Sequence, residues 1–355
     1  MADTEGLERD VLQRAEPHRP FTRVSTRLDF DAEGKRFGTL VVPHSRNDSA
    51  WGSVQIPVCV IARGSGPTVV MAGAAHGDEY EGPIALMKLA RALDPAEVQG
   101  RLIILPTVNV PAVRAGTRLS PVDGLNLNRI YPGRADGTVT QMIAHYVTTH
   151  LLPLADVVVD LHSGGKTLNF LPSAVMHYLD DRHRMDHTLA AVKAFGAPAG
   201  MVLRELDSQG MLDTTAEEMG RIFVTTELGG SGTLTRETVE IAETGLANLL
   251  AHFEVIDRPI ATPESRGRAP TRMMHTPDET SFVLAEDGGI FEVLVDLGDP
   301  VAAGQPIGQI HFYEQPDRPP LTYFARTDGV LWCRHAPGLV QRGDCIAVIA
   351  TDFPG

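Results

Sequence analysis

Cysteine is scarce: only Cys59, Cys333 and Cys345 occur in 355 residues. Odd in number, far apart and without a C-x-x-C pair, they indicate neither a disulfide framework nor a zinc knuckle, so a reducing, cytoplasmic location is expected. Long apolar runs are missing too. No stretch approaches the ~18 apolar residues of a membrane span, and the opening "MADTEGLERDVLQRAEPHRPFTR" has no apolar h-region. A soluble protein without an export signal is therefore expected. Basic excess is the third absence. Lys plus Arg total 31 against 45 Asp plus Glu, a net charge of -14, which argues against a nucleic-acid or anionic-membrane partner. An anionic small molecule stays open, because local arginines can outweigh the global field. With 43% hydrophobic content, the chain has enough apolar material for a substantial core and for more than one domain.

Several segments suggest an order of domains. Residues 1–66 read as a polar N-terminal arm followed by a β-rich entry, in which "TRLDFDAEGKRFGTLVVPH" and "SVQIPVCVIARG" alternate apolar and polar residues around turn signals. Residues 67–256 read as a catalytic domain. There "TVVMAGA" predicts a buried strand, 83–94 a helix, "RLIILPTVN" a strand, 138–151 a helix and "ADVVVDLH" a third strand. "HTLAAVKAFG", "AGMVLREL", "RIFVTTELGG" and a helix over 236–253 continue the alternation. Alternating strands and helices predict an α/β fold with a mainly parallel, mixed sheet flanked by helices, whose ligands bind beyond the carboxyl ends of the strands. Residues 257–271, rich in Pro, Arg and Ser, read as a linker. In 272–355 the helical signal disappears, and "GIFEVLVDLGDPVAAGQPIGQI" from Gly289 overlays "GVLWCRHAPGLVQRGDCIAVI" from Gly329. Two such units predict a quasi-symmetric C-terminal all-β barrel-sandwich. Its tip, "HFYEQPDRPPLTYFARTDG", has no lysine to carry a prosthetic group, which disfavours a biotinyl-type carrier.

"AGAAHGDEYEG" (72–82) places His76 and Glu79 three residues apart in a glycine-rich turn just after a buried strand. An imidazole and a carboxylate at that spacing can reach one ion. His162 ends a second strand of the same sheet in "VVVDLHSGG". The three together make a ligand set for catalytic zinc with a position left for water, and His/Glu ligation would also accept cobalt or manganese. Asp160, two residues before His162, can orient a ligand from behind. Glu227 ends the strand of "RIFVTTELGGSG" and is a candidate general base. The long segment "NVPAVRAGTRLSPVDGLNLNRIYPG" carries Arg114, Arg118, Asn128 and Arg129; it reads as a functional loop, and its arginines suit a carboxylate-bearing substrate and an oxyanion.

His76-x-x-Glu79, "NVPA" followed by Arg118, "NLNR", "DLHSG" and "TTELG", in that order, resemble the succinylglutamate desuccinylase/aspartoacylase family over about residues 67–350. The resemblance implies a zinc carboxypeptidase-like fold and hydrolysis of an N-acyl amino acid. By it, His76, Glu79 and His162 match the ligands of one Zn2+ per chain, and Glu227 the base that deprotonates the water and later protonates the departing amine. Arg118 matches the arginine that polarises the scissile carbonyl. Asn128 and Arg129 match the receptors of the substrate carboxylate, and Arg204 is a further candidate contact. Within the family, "AGAAHGDEYEGP", "GLNLNRIYPG" and "VVDLHSGGKTLNFLP" are most similar to an ectoine-degradation branch that deacetylates Nα-acetyl-2,4-diaminobutyrate. That substrate carries a second, cationic amine, for which Glu205, Asp207, Glu217 and Glu218 are the acidic candidates. Tyr313 and Tyr323 are candidates for a tyrosine contributed by the C-terminal domain. The partner expected is a small N-acyl amino acid; a homo-oligomer stays open. Rival readings are a deacylase of N-acetylaspartate or N-succinylglutamate type, a zinc carboxypeptidase, and a non-catalytic metal- or ligand-binding protein.

Overall fold

The computed structural model describes residues 20–204 and 208–355. Glu205, Asp207 and most of the expected polar arm lie outside those residues.

Strands Thr68–Gly73 and Val157–His162 are buried at every position. A strand can be apolar on both faces only where both faces of its sheet are covered, which is the situation of a parallel sheet under helices. Thr68–Gly73 indeed pairs in parallel with Gly100–Leu105 on one side and Val157–His162 on the other, and the latter pairs in parallel with Ile222–Glu227. Successive residues of one strand divide between two cores, as a period of two requires. Val157, Val159 and Leu161 pack with the helices Glu81–Ala92, Arg182–Phe195 and Arg236–His252. Val158 faces the opposite core, with Ile143 of Val139–Tyr146 and Leu212. By the same parity Asp160 and His162 share the face of Val158.

Antiparallel strands widen this parallel centre into a mixed sheet. Ser53–Arg63 pairs with both Gly34–Pro43 and Gly100–Leu105, and Ser173–His177 runs antiparallel to Ile222–Glu227 but parallel to Ala199–Leu203. Beyond the expected linker, Arg272–His275 joins Ala199–Leu203 in parallel and Cys345–Asp352 antiparallel. The main sheet therefore runs without a break into the C-terminal strands.

The internal repeat corresponds to a reciprocal exchange. The short strand of each unit pairs with the first strand of the other: Val301 with Gly329, and Val340 with Gly289. At both glycines the neighbouring strand is too close for a side chain, since a Cβ would lie 2.4 Å from the carbonyl oxygen of His311 or Ala350 respectively. Phe291, Ile307, Ile310, Leu331 and Ile349 fill the space between the two sheets.

Four elements depart from the sequence reading. The loop 109–133 contains a helix, Val110–Ala115, capped by Asn109. The strand Ser173–His177 and the helix Leu212–Glu218 have too few residues to show a period. The helix expected over 138–151 is α-helical only to Tyr146 and continues as a π turn, Val147–Leu151. No helix among the described residues is long and apolar enough to cross a membrane.

Candidate active site

At the end of Thr68–Gly73, Ala74 takes a left-handed conformation (φ 56°) that turns the chain off the strand. Asn109 holds the turn by donating its side-chain amide to the Ala75 carbonyl at 3.0 Å. Gly77 then passes so close to the Val110–Ala115 helix that a Cβ would lie 1.9 Å from the Ala112 carbonyl carbon. The glycine is required by close packing, and it sets His76 and Glu79 over the strand ends. His76 Nδ1 lies 2.6 Å from Glu79 Oε1, and His162 Nδ1 lies 2.9 Å from Glu79 Oε2. Each outer nitrogen has its own acceptor: His76 Nε2 is 3.0 Å from Asn126 Oδ1, and His162 Nε2 is 2.9 Å from Asp160 Oδ2. Asn126 was not singled out in the sequence; within "NLNR" it looks like any turn asparagine.

All three residues are buried, with relative exposures of 3% for His76, 2% for Glu79 and 8% for His162. Burial opposes the charge on Glu79, but the two imidazoles outweigh it and hold the carboxyl below the usual carboxylate range. For His162, burial disfavours the cation, while Asp160 and Glu79 more than offset that and raise its pKa well above the ordinary value. The site thus draws positive charge towards itself. One ligand atom from each of the three residues lies within 4.8 Å of the others. Two imidazole nitrogens and a carboxylate that converge in this way, with their outer nitrogens fixed from behind, fit a divalent cation.

Glu227 stands directly beside His162 in the parallel pair of strands, so both side chains emerge on the same face. Arg118 reaches in from the loop, with Nη1 3.3 Å from His76 Nδ1 and 3.7 Å from Glu79 Oε1. Asn128 is buried, and its Oδ1 accepts from the Leu212 N–H at 2.9 Å, so the group it can offer a ligand is its NH2 donor. Arg129 is exposed beside it and donates to the Asn128 carbonyl at 2.8 Å. These residues line one cavity of about 360 Å³ together with the trio. Arg204 is also on its wall, with its guanidinium carbon 3.9 Å from the centre of the Tyr178 ring. Arg114 is exposed and does not line the cavity.

The sequence matches the succinylglutamate desuccinylase/aspartoacylase catalytic-domain model over residues 65–253. It is 46% identical to the N-alpha-acetyl-L-2,4-diaminobutyric acid deacetylase of Halomonas elongata over 327 residues, 92% of this chain and 94% of that protein. The chain belongs to the succinylglutamate desuccinylase/aspartoacylase family. Membership makes it a hydrolase that cleaves an amide. Among solved structures of the family, the product-bound ectoine utilization protein EutE (DoeB) from Ruegeria pomeroyi superposes with a TM-score of 0.90 at 47% identity, covering 94% of this chain and 99% of that one. A succinylglutamate desuccinylase from a Silicibacter species gives 0.89 at 46% identity, covering 94% and 100%. The large mixed sheet and the C-terminal β sandwich are thus the fold of this family.

The C-terminal strands close one side of the aspartoacylase-family cavity with Phe282, Leu284, Trp332, Cys333, Cys345 and Val348. Trp332 Nε1 is anchored by donating to Ser173 Oγ at 2.6 Å. The two candidates for a tyrosine from this region are elsewhere. Tyr313 is 62% exposed, whereas Tyr323 is buried in the sandwich and its hydroxyl accepts from the Glu286 N–H at 2.8 Å; neither lines the cavity. Of the acidic candidates, Glu218 is exposed, and Glu217 is bound to His177 Nδ1 at 2.9 Å. Among the described residues, the acid that lines the wall besides Glu79 and Glu227 is Asp213, which the sequence reading passed over.

Proposed function

We propose that this chain hydrolyses Nα-acetyl-L-2,4-diaminobutyrate to acetate and 2,4-diaminobutyrate, the deacetylation step of ectoine catabolism. The observation that carries the reading is the joining of a His-Glu-His trio, an adjacent Glu227 and three arginines in one cavity, in a chain 46% identical to a deacetylase of that substrate. His76, Glu79 and His162 would hold one zinc ion, which when bound lowers the pKa of water and polarises a carbonyl.

The protein residues supply the rest. Glu227, in register with His162, takes the proton of the attacking water and returns one to the departing amide nitrogen. Arg118 reaches the trio from the open side and holds the negative charge that develops on the carbonyl oxygen. Asn128 and Arg129 receive the α-carboxylate, through an amide donor and a planar guanidinium. Arg204 adds a cation to the wall of the cavity. The apolar wall from the C-terminal strands excludes water from the acyl side and encloses a small molecule, which disfavours a carboxypeptidase that must admit a chain. All three cysteines are free thiols, which fits a reducing cytoplasm.

Changing Glu227 to Gln tests the mechanism: the variant is expected to keep its metal while turnover falls by about 10²- to 10⁴-fold. Near-wild-type turnover in that variant removes Glu227 as the base.

A further inference from the structure

Among the described residues, three carboxylates line the cavity: Glu79, Glu227 and Asp213. Glu79 belongs to the trio and Glu227 stands in the base position, so Asp213 takes no part in the hydrolytic steps. Its exposure is 5%, and a carboxylate is kept at an enclosed wall only where a cation or donors meet it. The side chain is held in one orientation. Oδ1 accepts from the Thr214 N–H at 2.6 Å and from Thr214 Oγ1 at 3.3 Å, while Oδ2 lies 3.6 Å from His177 Nε2. Glu217 in turn fixes that imidazole from behind.

The backbone bearing Asp213 rests on the turn that carries Asn128 and Arg129. The Leu212 N–H donates to Asn128 Oδ1 at 2.9 Å, and the Tyr131 N–H donates to the Gly210 carbonyl at 2.9 Å. A Cβ on Gly210 would come within 2.5 Å of the Arg129 carbonyl oxygen. The fold therefore sets a fixed anion beside the pair that receives the substrate carboxylate. A ligand complementary to both needs a carboxylate and a cation a short distance apart. Glu217, one of the acids expected to meet the cation, acts only through His177.

We infer that Asp213 receives the cationic side chain of the acyl amino acid and is the specificity-determining residue that selects an ammonium group over neutral or acidic side chains. This rests on the substrate reading above and deepens it.

The test is steady-state hydrolysis by the metal-loaded full chain, wild type and Asp213→Asn, of three substrates: Nα-acetyl-L-2,4-diaminobutyrate, its neutral isostere Nα-acetyl-L-norvaline, and Nα-acetyl-L-glutamate. Wild type is expected to prefer the diaminobutyrate. In Asp213→Asn the cationic-to-neutral ratio of kcat/KM is expected to fall by about 10- to 100-fold, chiefly through KM. A preference that survives in Asp213→Asn, or equal losses on all three substrates, overturns the assignment of Asp213 alone. Should that variant fail to fold by circular dichroism, Asp213→Glu replaces it: the cationic preference is then expected to persist with a raised KM, and equal losses again overturn the role. Wild type that ignores the diaminobutyrate and turns over another acyl amino acid overturns the substrate reading, a result visible before any variant is made.

Discussion

Replacing Asp160 probes the trio without touching a ligand atom. Asp160 is 1% exposed, and its Oδ2 lies 2.9 Å from His162 Nε2. When Nδ1, on the Glu79 side of the ring, serves as a metal ligand, Nε2 must carry the proton, and its bond to Asp160 fixes both the tautomer and the angle of the ring. Asp160→Asn keeps an acceptor of the same shape and removes only the charge. The expected loss is at the lower end of the range for such partners, about tenfold in metal affinity, or ~1.4 kcal/mol. Asp160→Ala also strands a buried N–H donor, which costs a further ~1–3 kcal/mol, so its loss should reach about 100-fold. Competition titration of zinc against a chromophoric chelator at one pH reads both values, with circular dichroism to confirm folding. Affinities within twofold of wild type in both variants would refute the role given to Asp160, and with it the inward direction of His162 Nδ1.

Three further outcomes are expected. Arg118→Ala should lower kcat by about 10²- to 10³-fold, as loss of an oxyanion donor does, with metal content unchanged by elemental analysis; loss of metal instead would make Arg118 a support of the trio. In Arg129→Ala, KM for the acyl amino acid should rise about tenfold or more while kcat changes little, and an unchanged KM sinks the carboxylate role. Burial pushes the Asp123 carboxyl up, but hydrogen bonds from the Thr140 N–H and hydroxyl at 2.8 and 2.7 Å more than offset this and leave it below the ordinary 3.8. Its stabilisation is thus present above that value and lost as pH falls through the folded value. Asp123→Asn, at the start of the Val139–Tyr146 helix, should cost about 0.5 kcal/mol near neutrality, and its Tm deficit should shrink below pH ~4. A deficit that does not change with pH contradicts the assignment.

The centre of the fold was legible because a doubly covered parallel strand has to be apolar along most of its length, as "TVVMAG" and the "VVV" of "VVVDLH" are. The metal-ligand candidates were legible for the complementary reason: His76, Glu79 and His162 are polar groups at the ends of such strands. Long-range pairing leaves no comparable mark. Arg272–His275 follows a linker-like segment, and nothing local tells that it joins Ala199–Leu203 and carries the sheet onward. Asp213 was missed on similar grounds. In "LDTTAEE" it looks like an ordinary acid in the first turn of a helix, and only the seating of 210–212 on the Asn128–Arg129 turn brings it to the cavity wall. Tyr323 shows the converse: it was a candidate only because the family resemblance implies a tyrosine from the C-terminal domain, and its ring belongs to the core of the sandwich.

Acetate release by the zinc-loaded protein tests the central claim most directly, with Nα-acetyl-L-2,4-diaminobutyrate, N-acetylaspartate and N-succinylglutamate compared in parallel against a chelated control. Turnover that prefers the diaminobutyrate, disappears with chelator and returns with zinc is the predicted result. Undiminished turnover after the metal is stripped, or hydrolysis of none of the three, would contradict it.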